Sequence, residues 1–292
     1  MPGMPEMSKK KSTLFQLSFW VILLSFAPVH AAPARRIIQY SYTIQNNSNQ
    51  VLSEAEFWAF GPVKKTSTQQ CAALDASHEF ELLVDDLGNQ VMHFTFKNLP
   101  PFGAVIVRIR AEIVVNETPM EISGDEQLFL GQEKYVEADA LAIKKLATEL
   151  KGGTPLITAG EIYSWVADNI EYSGFAGSER GALSVLESRQ GDCTEYMDLF
   201  TALARAAGIP TRRLGGYVAA ADTVLKPADY HNWSEFYDNG VWKLADAQKK
   251  NFAVNQADYI VMQIISDNIE SPMAGFNRFR FEGEGLQAWM NI

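Results

Sequence analysis

The sequence predicts an α+β chain in which an N-terminal antiparallel β-sandwich precedes a core of mixed helices and strands. Three observations carry that expectation. Apolar and polar residues alternate through much of residues 36–118, the period of half-buried strands. A helix with clear start and stop signals opens at Cys193. A turn-linked pair of strands runs from His231 to Asp246.

In chain order, residues 1–31 read as a secretory leader. Lys9, Lys10 and Lys11 precede the apolar run Phe19 to Phe26, and Ala31 and Ala32 supply a small-residue cleavage site. That run is short for a membrane span, and no later run is apolar enough for stable insertion, so export to a bacterial periplasm is expected. Next come the sandwich strands. Ile38, Tyr40, Tyr42 and Ile44 alternate with polar positions, and Phe80, Leu82 and Val84 do so before the turn Asp85-Asp86-Leu87-Gly88-Asn89. Val91 to Phe96 and Ala104 to Val115 add two more strands, and an antiparallel sandwich is the simplest way to pack them.

Residues 119–135 are acidic and irregular and read as a linker. From Val136 to Leu150 helical spacing returns through Leu141, Ile143 and Leu146, and Lys151-Gly152-Gly153-Thr154-Pro155 ends it. Ile162, Trp165, Val166 and Ile170 mark a second helix, followed by a short stretch that ends at Tyr172. Residues 136–265 thus form the second domain, with Tyr259 to Ile265 as its last strand. The aromatic tail 266–292, with Phe276, Phe279, Phe281 and Trp289, is expected to pack back on this core.

In Gly191-Asp192-Cys193-Thr194-Glu195, Asp192 and Glu195 stand at capping-box spacing. Tyr196, Leu199, Phe200 and Leu203 continue the helix, which Gly208 and Pro210 close. Cys193 therefore lies in the first turn, where unpaired N–H groups favour a thiolate. Asp192 and Glu195 oppose that shift, so a base is required. Downstream, Asp238-Asn239-Gly240 separates His231-Asn232-Trp233 from Val241 to Asp246, the signature of a β-hairpin. Any two-residue loop puts His231 and Asp246 on one face, roughly 5 to 8 Å apart at Cβ. Nucleophile, base and orienting carboxylate in this relation suit covalent acyl transfer.

These residues, with Leu199 to Arg212, Gly215-Gly216-Tyr217 and Trp242 to Asp246, resemble the transglutaminase-like superfamily over roughly residues 140–262. The resemblance implies a papain-like core with the Cys on a helix N-terminus and the His and Asp on adjacent strands. It further implies Cys193 as nucleophile, His231 as general base and acid, and Asp246 as orienter, with no cofactor. The chain departs from the commoner pattern at Thr194-Glu195-Tyr196 and at Ala247-Gln248, which leaves substrate preference open. The Cys193 N–H is the natural first oxyanion donor. Gln190 and Tyr172 are candidates for the second, and Tyr217, Trp233 and Trp242 are candidates for a substrate groove. Hydrolysis of peptide or side-chain amides, isopeptide cross-linking, and binding without turnover all remain compatible with these residues.

Composition narrows the partners. Hydrophobic residues at 47% and charged ones at 21% are globular values, and 292 residues leave room for two cores. Loss of Lys9, Lys10, Lys11 and Glu6 with the leader leaves 22 basic against 34 acidic residues, a balance of −12. That charge argues against nucleic acid and for a peptide or protein substrate. Cys71 and Cys193 are expected as separate thiols, because a bridge would silence the nucleophile. His78 and His93 have no further Cys or His to support a site and read as structural or exposed rather than metal-binding. Asn232-Trp233-Ser234 is a glycosylation sequon beside His231, and a glycan there would crowd the site, which favours a bacterial origin.

Overall fold

In β1 (Ala34–Asn46), Ile38, Tyr40, Tyr42 and Ile44 are all buried while their neighbours are not, so the alternation read from the sequence is the inward face of a strand. Burying each such side chain stabilises by about 1.5–3 kcal/mol relative to leaving it exposed. The structure, a computed structural model, describes residues 1, 3, 32–122, 126–175, 177 and 180–292. The expected leader, apart from Met1 and Gly3, lies outside the described residues.

Five further strands complete the first part of the chain: β2 (Leu52–Phe60), β3 (Gln69–Ala76), β4 (Glu81–Val84), β5 (Gln90–Leu99) and β6 (Ala104–Val115). Four helices follow, α1 (Leu141–Glu149), α2 (Pro155–Asn169), α3 (Ala182–Ser188) and α4 (Cys193–Ala206). Among them lies the short parallel pair β7 (Glu171–Tyr172) and β8 (Gln190–Gly191). The rest is mostly strand: β9 (Thr211–Val218), β10 (Thr223–Val224), β11 (Tyr230–Asp238), β12 (Val241–Asp246), β13 (Asn251–Phe252), β14 (Tyr259–Ile265), β15 (Phe279–Glu282) and β16 (Leu286–Met290).

The fold is α+β, as expected, with a β-sandwich built mainly from the N-terminal strands. One of its sheets runs β10-β1-β6-β3 with β16 also on β1, and the other runs β15-β2-β5-β4. A shared core of Ile38, Tyr42, Phe57, Phe94 and Ile109 lies between them, and Tyr217, Ile260 and Met262 of the next sheet extend it. That next sheet, β13-β12-β11-β9-β14, is antiparallel. Helices α1, α2 and α4 cover one face through Ile143, Ile162, Val166, Leu199, Phe200 and Leu203, packed with Phe236 and Ala245. The other face buries Leu214, Trp233, Trp242 and Val261.

Three expectations need correction. The tail supplies β15 and β16 to the two sandwich sheets, because its alternating Phe279 and Phe281 and its Leu286 to Met290 run meet the free edges of β2 and β1. Within the presumed linker, Phe129 is core and Glu133 is buried, since Glu133 has Arg205 and Arg213 to pair with. On β4 the facing is reversed. Leu82 and Val84 are exposed and Leu83 turns inward toward Phe60 and Val91. This strand ends its sheet, where pairing on one side only leaves parity weakly specified.

Candidate active site

The site begins at the cap of α4. The Asp192 carboxylate accepts the Thr194 N–H at 2.8 Å, and the Glu195 carboxylate reaches back to the Asp192 N–H at 2.8 Å, a complete capping box. Gly191 is required by this closure, because a Cβ there would stand 2.5 Å from the Glu195 Cβ. Cys193 is the first helical residue and is half-buried. Burial pushes its thiol up. The Asn232 backbone N–H works against that rise by donating to the sulfur, Asp192 and Asp246 add to it, and Thr194 lowers it again. The net effect is a raised thiol, so at rest the sulfur keeps its proton and needs a base.

The hairpin brings His231 to Asp246. Asp238 pairs with Val241 and Ser234 with Ala245, which leaves Asn239 and Gly240 as the loop. Their φ values of 51° and 85° are those of a primed turn. This register makes His231 the diagonal neighbour of Asp246, and the Nε2 of His231 lies 2.7 Å from Asp246 Oδ2. With Nε2–H donating to the carboxylate, Nδ1 retains the lone pair that can take a thiol proton. Asp246 is fixed in turn by the Tyr259 hydroxyl at 2.8 Å and by the Lys249 backbone N–H at 3.0 Å. Burial, together with the nearby Asp246 carboxylate, pushes the Tyr259 hydroxyl up, so it remains a donor.

Cys193 and His231 line a common cavity with Tyr172, Tyr230, Gln248 and Lys249. A second cavity of about 390 Å³ holds Cys193 together with Tyr172, Phe175, Asn232 and Arg278. Close backbone approach behind the site depends on Gly216, where a Cβ would stand 2.0 Å from the Ile260 carbonyl oxygen.

Of the two candidates for second oxyanion donor, Tyr172 lines both cavities beside Cys193. Gln190 lines neither; it is exposed on β8 and its carbonyl accepts from Arg180 at 3.1 Å. The groove residues are corrected outright. Trp233, Tyr217 and Trp242 are 1%, 3% and 2% exposed and belong to the packed layers on either side of β9, β11 and β12. Trp233 packs edge-on against Tyr259, and Trp242 lies beneath the Arg212 guanidinium at 4.4 Å. The cavity walls come instead from Tyr172, Phe175, Pro227, Tyr230, Asn277 and Arg278. Tyr230, next to His231, was within reach of sequence reasoning. Asn277 and Arg278 were not, because they arrive from the tail. Cys71 sits on β3 as a separate thiol, raised by burial.

The model of the Transglutaminase-like superfamily matches residues 144–247. Among solved structures, the chain is similar to a candidate cysteine protease from Cytophaga hutchinsonii, with a TM-score of 0.62 at 20% identity over 90% of this chain and 91% of that one. A lesser likeness, with a TM-score of 0.40 at 14% identity, links 69% of this chain to 88% of the periplasmic domain of TgpA from Pseudomonas aeruginosa. The comparison with curated proteins gives no match. At such identities the first likeness speaks for the fold, and the family match for the core. The segment that carries Cys193, His231 and Asp246 is thus the one that matches the Transglutaminase-like superfamily.

Proposed function

We propose that this chain is an exported cysteine peptidase or amidase that works through a thioester on Cys193. The observation that supports it best is the shared cavity of Cys193 and His231, with the far nitrogen of His231 held 2.7 Å from buried Asp246. His231 Nδ1 takes the thiol proton as the sulfur attacks an amide carbonyl. The Cys193 N–H, with the Tyr172 side chain as its partner, receives the developing oxyanion. His231 then protonates the departing amine, leaving a thioester. Water, deprotonated by His231, releases the acid and restores the thiol. Asp246 keeps its hydrogen bond to Nε2 throughout and steadies the imidazolium.

Hydrolysis is preferred over cross-linking because the rim of the cleft is open. Tyr172 is 54% and Phe175 88% exposed, so water reaches the thioester freely, whereas amine transfer needs water kept out. Export rests on the leader pattern of residues 1–31, and no described helix is long and apolar enough to cross a membrane.

The test is the pH dependence of iodoacetamide alkylation at Cys193 in the folded protein beside the His231→Ala variant, followed by peptide amides with and without a lysine-like amine. Fast labelling near neutral pH that collapses in the variant, with acid release, supports the proposal. Incorporation of the amine would move the assignment to transglutaminase. Slow labelling identical in both proteins would end the enzymatic reading in favour of a binding module.

A further inference from the structure

Arg278 shares the 390 Å³ cavity with Cys193, Thr194 and Asn232, yet the triad gives it no task. It comes from the start of the tail strands, outside the 144–247 segment that defines the superfamily core. Its position is well fixed. Nη1 donates to the Pro227 carbonyl at 3.1 Å, the guanidinium lies over the Tyr230 ring at 5.6 Å, and its own carbonyl accepts the Phe60 N–H at 3.2 Å.

Its charge, by contrast, is unanswered. Arg36, Arg180, Arg205, Arg212, Arg213 and Arg280 each pair with a carboxylate. Among the described residues no carboxylate lies within 4.0 Å of the Arg278 guanidinium, in a chain whose net charge is −10. Asp192 lines the same cavity, but its carboxylate caps α4 through the Thr194 N–H. A half-buried guanidinium, held by one backbone carbonyl and one ring, still presents most of its donor fork.

We propose that Arg278 is a specificity-determining carboxylate anchor, so that the acyl donor is an acidic peptide whose carboxylate pairs with Arg278 while its amide carbonyl lies at Cys193. This rests on the reading of Cys193 as the acyl-transfer nucleophile. A planar fork facing a carboxylate forms two parallel charge-assisted bonds, which an ammonium cannot reproduce. The tail, by joining β15 to β2, fixes this anchor in the cleft and makes the sandwich part of substrate selection.

The test keeps chemistry out of the measurement by using the Cys193→Ala protein. The probes are N-acetylated, C-terminally amidated alanine-rich hexapeptides with one Glu at each position in turn, each beside its Gln twin. The all-alanine peptide with a free C-terminal carboxylate forms a second arm, which separates a side-chain carboxylate from a chain end. One carboxylate position is expected to bind about tenfold tighter than its neutral twin, and the ratio should shrink as salt is raised. Arg278→Gln should bring the ratio close to one, and Arg278→Lys should keep only part of it. Should Arg278→Gln fail to fold, the salt dependence and the Arg278→Lys ratio decide. A ratio unchanged in either variant, or no carboxylate preference at any position, overturns the anchor. A His231-dependent thiolate without carboxylate preference sinks the anchor alone. Carboxylate binding beside an inert Cys193 sinks the acyl-transfer reading and leaves the anchor standing.

Discussion

Helix α4 carries polar groups at two places that meet opposite fates. At its N-terminus Cys193 opens onto cavities, and only a backbone N–H and Thr194 favour its charged form. Further along, Asp198 and Arg205 join Glu133 and Arg213 in a buried ion cluster whose four side chains are at most 1% exposed. Arg205 lies 3.1 Å from Glu133, and Arg213 bridges Glu133, Asp198 and Asp267. The same helix therefore has an ion-paired buried stretch and an end that opens onto cavities. The ion pairs of Arg213 with Glu133 and Asp198 tie α4 to β9, although among the described residues Arg205 Nη2 and Arg213 Nε stay without a hydrogen-bond partner, while the Cys193 thiol, raised by burial, faces the cavities.

The sharpest way to break this contrast is to remove one member from each region. His231→Ala should slow iodoacetamide labelling of Cys193 at neutral pH by about 100-fold, the lower range for a positioned general base. Its stability should fall by less than that of Glu133→Gln, because the buried Asp246 carboxylate loses one donor but keeps the Tyr259 hydroxyl and the Lys249 N–H. Glu133→Gln should do the reverse. It strands Arg205 and Arg213 without their carboxylate and should cost about 3–5 kcal/mol of stability by denaturant unfolding. Labelling at temperatures where the variant is folded should stay within about twofold of the parent. If Glu133→Gln slowed labelling as much as it lowered stability, the two regions of α4 would be one coupled unit.

Acid sharpens the same contrast with a smaller effect. Burial alone would raise the Glu133 carboxyl, but Arg213 and Arg205 together outweigh it, and the group ends below its usual range. A carboxylate depressed on folding contributes stability that is complete above its unfolded pKa and is lost as pH falls through the folded value. Stability measured from pH 5 downward should therefore fall more steeply in the parent than in Glu133→Gln. Parallel slopes would mean that the cluster stays ionised over that range or contributes nothing through titration.

What the sequence revealed follows the same line between local and distant partners. The cap of α4 needs only Asp192 and Glu195, three residues apart, and the hairpin needs only a two-residue loop, so Cys193 at a helix start and His231 beside Asp246 could be placed on paper. The alternation of β1 was equally local. Glu133 gave no such signal, because its meaning depends on Arg205 and Arg213, more than seventy residues away. The tail strands likewise acquire their role only from edges left free by β1 and β2. Tyr217, Trp233 and Trp242 misled for a related reason. Aromatic residues on the strands around His231 and Asp246 look like a groove in one dimension, whereas strand parity and the sheet's second face bury all three.

The smallest expected effect lies where the two regions come to resemble each other. Asp246 is 2% exposed, and its carboxylate meets His231, the Tyr259 hydroxyl and the Lys249 N–H, so it is nearly as well matched as Glu133. Tyr259→Phe removes one of those donors without changing the ring that packs edge-on against Trp233 at 5.0 Å. The loss of one hydrogen bond to a buried carboxylate should cost about 1.5–3 kcal/mol of stability. Its effect on labelling has a definite sign. With one donor fewer, the carboxylate attracts the Nε2–H more strongly and makes His231 a better base, so the thiolate should form at lower pH and labelling near neutrality should rise modestly. The Glu133 variant is expected to lose stability with no gain in rate. A rate that falls in Tyr259→Phe would show that the hydroxyl chiefly positions Asp246, and that orientation of the carboxylate outweighs its charge in setting the base.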